Sequence, residues 1–187
     1  MTNNYNFSDY KEIYEHVNKD YPLGVYYIEP EETVIQSANW HWHDEIEIDI
    51  VREGYAVYTF SDGNLVIAKD TAIILKSNIV HSIQSIGENC KIISVVFSPS
   101  LLFPDSSTYT RNMYLNPFNN SAEKYQIFEN NDRLGKTIIS YLEDIIDYNL
   151  SKEFGYEILT KSALCQLLYT LMKDLPRKSE RFEDNEP

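Results

Sequence analysis

Positive charge is scarce in this sequence. Its 16 Lys and Arg residues stand against 29 Asp and Glu, a formal charge of −13 over 187 residues. Nucleic-acid binding through the chain's own surface is disfavoured on that count, because phosphate contacts need clustered Lys and Arg. Attachment to an anionic membrane is disfavoured for the same reason. Cysteine is nearly missing, and Cys90 and Cys165 form neither a metal-ligand spacing nor a disulfide framework. Cys165 falls in an apolar helical pattern, where packing is the expected role. No apolar run approaches the length of a membrane span, and the N-terminus has no signal-peptide core. These absences point to a reducing, cytoplasmic compartment. Only six glycines occur, and none builds a phosphate-binding loop. No Ser or Cys stands in a motif with a histidine base, so nucleophilic catalysis finds no support. No internal repeat is found.

Apolar material is ample, with 43% hydrophobic residues, 13% aromatics and 15 tyrosines. Tyrosines suit strands and pocket walls. The most informative stretch is His41-Trp42-His43-Asp44-Glu45-Ile46-Glu47-Ile48-Asp49-Ile50-Val51-Arg52-Glu53-Gly54. From Glu45 to Ile50, acidic and apolar residues alternate with period two, the mark of a strand with two different faces. Ile46, Ile48 and Ile50 share one face; Glu45, Glu47 and Asp49 share the other, and His41 and His43 join them if the strand extends back. Carboxylates usually turn to solvent, but the isoleucines need cover. Two apolar helical stripes near the C-terminus offer it, which would place the carboxylates inside. Buried charges need partners; water, tyrosine hydroxyls or a polar ligand are expected there.

Around this stretch the chain reads as four segments. Residues 1–23 form an arm with a short helix over Ser8–Val17, before Pro22 and Gly24 break the chain. Residues 24–128 form a β-barrel or sandwich with a trailing loop region: about eight short strands, a hairpin signal at Asp62-Gly63, and a proline- and asparagine-rich stretch from Ser98 to Phe128. A connection that long is usually functional or mobile. Residues 129–175 form two helices, the first capped by Asp132 or Asn131, the second entered after Gly155. In the second, Leu164, Leu168, Leu171 and Leu175 step at coiled-coil spacing, which points to a dimer seam; two contacts inside one monomer is the other outcome. The charged tail, 176–187, is expected to be disordered. The fold class is therefore mainly β with C-terminal α-helices.

The spacing His41, His43, Glu47, with Gly54 and a later His81, supplies three imidazoles and a carboxylate. Such a set suits a divalent transition metal such as Zn, Ni, Fe or Mn. It resembles the first motif of the cupin superfamily, whose members are double-stranded β-barrels. Together with Lys69-Asp70-Thr71-Ala72-Ile73-Ile74-Leu75 and His81-Ser82-Ile83, the text is similar to the N-terminal sensor domain of AraC-type bacterial transcription regulators. The resemblance runs from about Gly24 to Phe97 and loosely through the helices. It implies a cupin barrel that senses a small-molecule effector, an arm that can close over it, and helices that mediate a homodimer. It also implies DNA binding only through a C-terminal helix-turn-helix domain missing from this chain. The sequence departs from the pattern in three places. Lys76-Ser77-Asn78 replaces the usual proline and glycine turn, Ser85 replaces an asparagine, and Asp49 replaces an apolar or aromatic residue.

The expected ligand-binding residues are His41, His43, Glu45, Glu47, Asp49 and His81. Their acidity suits a polyhydroxylated or cationic molecule. No cofactor is expected. Hydrogen bonding by the histidines stands ahead of a Zn or Ni ion on His41, His43, Glu47 and His81, because regulator-type barrels of the resembled family often keep these residues without a metal. The competing function is a metal-dependent cupin enzyme, an isomerase or dioxygenase.

Overall fold

In the computed structural model, residues 10–12, 20–28 and 40–173 are described, with 84–88 described by backbone alone. The expected strand over Thr33–Gln36, most of the N-terminal helix, Leu175 and the tail lie outside the described residues. Among the described residues six strands form one antiparallel sheet: β1 Leu23–Ile28, β2 Ile46–Phe60, β3 Gly63–Ala68, β4 Thr71–Leu75, β5 His81–Phe97 and β6 Tyr125–Glu129. Their order is β1-β5-β2-β4-β6, with β3 paired to β2. Two long helices follow, α1 Arg133–Ser151 and α2 Tyr156–Met172. Mainly β with a C-terminal helical hairpin is the architecture observed.

Fewer, longer strands replace the short ones expected. The chain does not stop at Gly54: β2 runs through it with register shifts at Val51/Glu53 and Glu53/Tyr55. Gly54 takes φ +69, and a Cβ there would sit 3.1 Å from the Cys90 backbone, so glycine lets the strand bend where it crosses β5. The stretches Val80–Ser85 and Lys91–Phe97 are likewise one strand, β5, pairing with both halves of β2. At the hairpin the turn residues are Ser61 and Asp62, and Gly63 already pairs with Phe60.

The Ser98–Phe128 stretch contains a strand that its loop-like composition conceals. Tyr125–Glu129 pairs with β4 in the register Ile73↔Ile127 and Leu75↔Tyr125. The rest carries short helical turns at Pro99–Leu101 and between Thr108 and Asn119, with Leu101, Leu115 and Phe118 buried. Lys76 anchors it: its buried ammonium donates to the Ser121 carbonyl (3.1 Å), and also to the Ser121 hydroxyl and the Glu123 carbonyl.

The period-two pattern of β2 divides the core in two. Ile46, Ile48 and Ile50 pack with Ile74, Val95 and Phe97 against Ile138, Leu142, Ile145, Leu164, Leu167 and Leu168 of the helices. On the other face Val51, Tyr58, Phe60, Ile73, Leu75, Cys90 and Ile92 fill the sheet interior. Asp132 caps α1, its carboxylate accepting from the Gly135 N–H at 2.7 Å. Gly155, at φ 85, turns the chain into α2. Arg52, beside the β2 bend, forms a two-pronged ion pair with Glu143 and ties α1 to the sheet.

The leucine seam is corrected. Leu164, Leu168 and Leu171 are 0%, 2% and 9% exposed inside the monomer. One face of α2 covers the isoleucines of β2 and another packs on α1, so both contacts are internal. The large apolar side chains that α2 leaves exposed are Ile158, Leu159 and Tyr169. Cys165 is also exposed, not packed.

Replacing Leu164 with Ala should therefore cost about 2–5 kcal/mol of the unfolding free energy of the chain itself. Urea denaturation at several protein concentrations checks this. A variant as stable as the parent but weakened in self-association would restore the seam.

Candidate functional site

The inward face of β2 points Glu47 and Asp49 into the sheet interior, 2% and 0% exposed. His41 and His43 precede the strand, in a segment that is not itself a strand. Backbone bonds hold it nonetheless. His41 and His81 exchange N–H···O bonds of 2.9 Å in both directions, and the Asn78 N–H donates to the His43 carbonyl at 2.8 Å. These contacts bring the start of β5 beside residues 41–43. Donor atoms of His41, His43, Glu47 and His81 consequently lie within 4.8 Å of one another. The rings of His41 and His81 are 4.2 Å apart, those of His43 and His81 5.6 Å.

The hydrogen bonds fix which nitrogens face the centre. His43 Nδ1 lies 3.2 Å from the Glu45 carbonyl, and His81 Nδ1 lies 2.8 Å from the Ile79 carbonyl. A carbonyl only accepts, so both Nδ1 atoms carry the proton. Each Nε2 then points at the same atom, Glu47 Oε2: 2.9 Å from His43 and 3.3 Å from His81. The His81 contact is close but misaligned, and its Nε2 has no hydrogen-bond partner. Two imidazole lone pairs facing one carboxylate oxygen repel unless a cation sits among them. A proton on an imidazole is one such cation, and a divalent metal is another. Burial opposes ionisation of Glu47, but the hydrogen bond of His43, the close contact of His81 and the charges of both outweigh it and hold its carboxyl well below the usual range. Burial likewise pulls the His81 imidazole down, and contact with Glu47 reverses that to a net rise.

Asp49 has the opposite fate. Burial, followed by the neighbouring Glu47 charge, pushes it well above the usual carboxylate range. The Tyr58 hydroxyl donates to Asp49 Oδ2 at 2.7 Å, while Oδ1 is buried without a partner. Burial, then Asp49, pushes the Tyr58 phenol well up as well. Ser94 on β5 donates to Glu47 Oε1 at 3.2 Å. Glu45 lies at the edge of the cluster, 3.8 Å from His43 Nδ1. All six residues expected at the site are thus near one another.

Sequence reasoning missed two contributors. Ser94 and Tyr58 are on separate stretches of chain, and only the register Asp49↔Ser94 and the bend at Gly54 bring them in. The arm that the resemblance implies also lies here. Tyr10–Glu12 docks beside Trp42: the Glu12 N–H donates to the Trp42 carbonyl at 2.9 Å, and the Trp42 N–H to the Tyr10 carbonyl at 3.1 Å. Lys11 pairs with Asp44 at 2.6 Å, and its ammonium lies 4.9 Å from the centre of the Trp42 ring. Glu12 Oε2 is 3.5 Å from His41 Nε2. A surface depression of about 490 Å³ lies at the start of α1, lined by Asn131, Arg133, Lys136 and Ser140 among others; it contains none of the cluster residues.

The donor set can hold a divalent transition metal. Imidazole and carboxylate ligands suit Zn, Ni, Fe or Mn. A ligating histidine typically donates its other N–H to a carbonyl, as His43 and His81 do here.

The profile of the AraC-like ligand binding domain matches residues 22–168. An uncharacterised HTH-type transcriptional regulator of Bacillus subtilis, YdeC, is 24% identical over 154 residues, covering 79% of this chain and 50% of that protein. The chain thus spans about half the length of that relative. Among solved structures, ToxT from Vibrio cholerae with bound unsaturated fatty acid is 16% identical with a TM-score of 0.48, over 78% of this chain and 53% of that one. A cupin-2 domain protein from Shewanella frigidimarina is 25% identical with a TM-score of 0.33, over 42% and 71%.

Two outcomes test the cluster. If it holds a metal, protein purified without chelator carries about one equivalent by elemental analysis, and His43→Ala loses it; a metal-free parent preparation contradicts the metal assignment. For Asp49, the folded state keeps a proton that the unfolded chain releases at lower pH. Its stabilising contribution is therefore complete below the unfolded carboxylate pKa and is lost as pH rises through the raised folded value. The melting temperature of Asp49→Asn should rise relative to the parent between pH 4 and pH 8, scanned in steps on the order of one unit. A difference that does not change with pH would contradict the raised value.

Proposed function

This chain belongs to the AraC-like ligand-binding domain family, and from that membership we propose that it is the effector-sensing and dimerising part of a cytoplasmic transcription regulator. DNA would be contacted by a helix-turn-helix domain elsewhere in the whole protein, since the acidity of this chain does not suit phosphate binding. Among the described residues no helix is long and apolar enough to cross a membrane.

The effector site is the histidine–carboxylate end of the sheet interior. One observation carries this reading. Two polar atoms there, His81 Nε2 and Asp49 Oδ1, are buried without hydrogen-bond partners, at a cost of about 1–3 kcal/mol for each such group. A bound polar molecule would recover that cost. The carboxylates of Glu45 and Glu47, with Asp49 beside them as a protonated hydrogen-bonding group, favour a cationic or polyhydroxylated small molecule. Effector binding can act on a distant domain only by favouring one arrangement of the arm or helices over another. Two mechanical links are present: the Tyr10–Glu12 arm lies against the site, and Arg52–Glu143 joins the site strand to α1. A homodimer would use the exposed Ile158, Leu159 and Tyr169 of α2, in place of the buried leucines.

A metal-dependent cupin enzyme, isomerase or dioxygenase, would use the same four donors. Regulator and enzyme separate on turnover, and on whether the coding sequence past Pro187 runs into a helix-turn-helix.

Calorimetry of the parent chain and of Glu47→Gln against panels of sugars, amines and metal ions tests the effector reading. Binding of one class with at least about tenfold loss in Glu47→Gln, roughly 1.4 kcal/mol, supports it. Binding unaffected by Glu47→Gln moves the site elsewhere.

A further inference from the structure

Strand β1 contributes a side chain to the site that no spacing in the sequence marks. β5 lies between β1 and β2, and residues directly opposite each other on antiparallel neighbours share a face. Glu47 is opposite Val96, and Val96 is opposite Gly24; Asp49 is opposite Ser94, and Ser94 is opposite Tyr26. Glu47 and Asp49 point into the sheet interior, so Tyr26 and the bare face of Gly24 do as well. The Tyr26 ring leans along its strand. A Cβ added at Gly24 would come within 2.6 Å of two Tyr26 ring carbons and closer still to the hydroxyl. The phenol end therefore lies over Gly24, in the row of Glu47, in space that a side chain at position 24 would take. Tyr26 is 36% exposed, so the ring stands where the interior opens to solvent. Burial, then the charges of Glu12 and Glu45, push its phenol up, which agrees with carboxylates beside the ring.

Ring, charge and an unmet acceptor together select a ligand class. The carboxylates of Glu45 and Glu47 lie at this end of the interior, while Lys11 is engaged with Asp44 and Trp42. His81 Nε2 is buried without a hydrogen-bond partner. As a neutral imidazole His81 accepts there, because its Nδ1 proton is directed at the Ile79 carbonyl. A polyol would donate to that nitrogen and leave the negative charge uncompensated. A metal ion would compensate the charge and make no use of a ring. A primary ammonium does all three: it is positive, it carries three N–H donors, and an aromatic face attracts it.

We propose that Tyr26, laid over Gly24, is the aromatic wall of an ammonium subsite at the histidine–carboxylate end of the interior, and that the effector is a small primary amine, its ammonium held by Glu45 and Glu47 and its alkyl chain against the ring. This rests on the effector reading above and narrows its two ligand classes to one.

The test uses the whole chain, with n-butylamine and its neutral counterpart butan-1-ol as calorimetric probes at about pH 7, where an alkylamine is protonated. The parent should bind butylamine at least about tenfold more tightly than butan-1-ol. Tyr26→Leu should weaken butylamine about fivefold, while Tyr26→Phe, which keeps the ring, should stay within about twofold of the parent. Gly24→Ala should weaken butylamine as Tyr26→Leu does, because its methyl displaces the ring. The displaced atoms are the far end of a flexible side chain, so thermal unfolding of Gly24→Ala should match the parent, which separates loss of the wall from loss of the fold. Equal binding of butylamine and butan-1-ol, binding of neither, or butylamine affinity indifferent to both Tyr26→Leu and Gly24→Ala overturns the ammonium subsite. A sugar that binds in place of the amine and is lost in Glu47→Gln overturns the ligand class alone and leaves the effector site standing.

Discussion

Two imidazole nitrogens and one buried carboxylate oxygen set the terms for the rest of this structure. Burial would neutralise Glu47, but the contacts and charges of His43 and His81, whose Nε2 atoms face Oε2, hold its carboxyl well below the usual range, an arrangement that works only with positive charge among the three groups. Each histidine is held in that pose by a backbone carbonyl on its Nδ1. The carbonyls belong to two separate parts of the chain, the entry to β2 and the entry to β5. Where those two entries meet is thus also where a positive charge is required. A carboxylate buried with such partners is strongly destabilising when the partners are removed one at a time, so the arrangement must be complete or replaced outright.

The other face of the same strand supplies the stability that such a site lacks. Ile46, Ile48 and Ile50 are buried against α1 and α2, and a one-residue slip in register would send the isoleucines inward and the carboxylates into the helices. The pairings Ile48↔Val95 and Ile48↔Ile74 therefore position Glu47 and Asp49 as well. The helices are a structural support of the site. Their connection to it through Arg52 and Glu143 is one route by which an occupant could be felt at the exposed face of α2.

Much of this could be read from the sequence, and the failures have physical causes. Period-two alternation in β2 gave both faces correctly, and the 41/43/47/81 spacing pointed to residues that do converge. The helix cap at Asp132 and the turn at Gly155 were visible as local chemistry. Strand count was misread because Gly54 looks like a terminator, whereas it is the bend that lets one strand serve both halves of the sheet. Strand β6 was hidden because Tyr125–Glu129 follows a stretch rich in Asn, Ser and Pro and is recognisable only by its partner β4. The leucine spacing in α2 fits a dimer seam and a doubly packed internal helix equally well; periodicity reports that a face is covered, not by what. Glu12 carries no signal at all in sequence, since its place at His41 follows from backbone pairing of the arm.

The central proposal is that the Glu47 cluster takes up a cationic ligand, a divalent transition metal being one that its four donors suit. An anomalous difference map from crystals of the zinc-loaded chain, recorded on both sides of the zinc edge, tests this most directly. A single peak within bonding distance of His43, His81 and Glu47 is the predicted result. No peak at the cluster, with protons on both Nε2 atoms or zinc bound only at other sites, would contradict it.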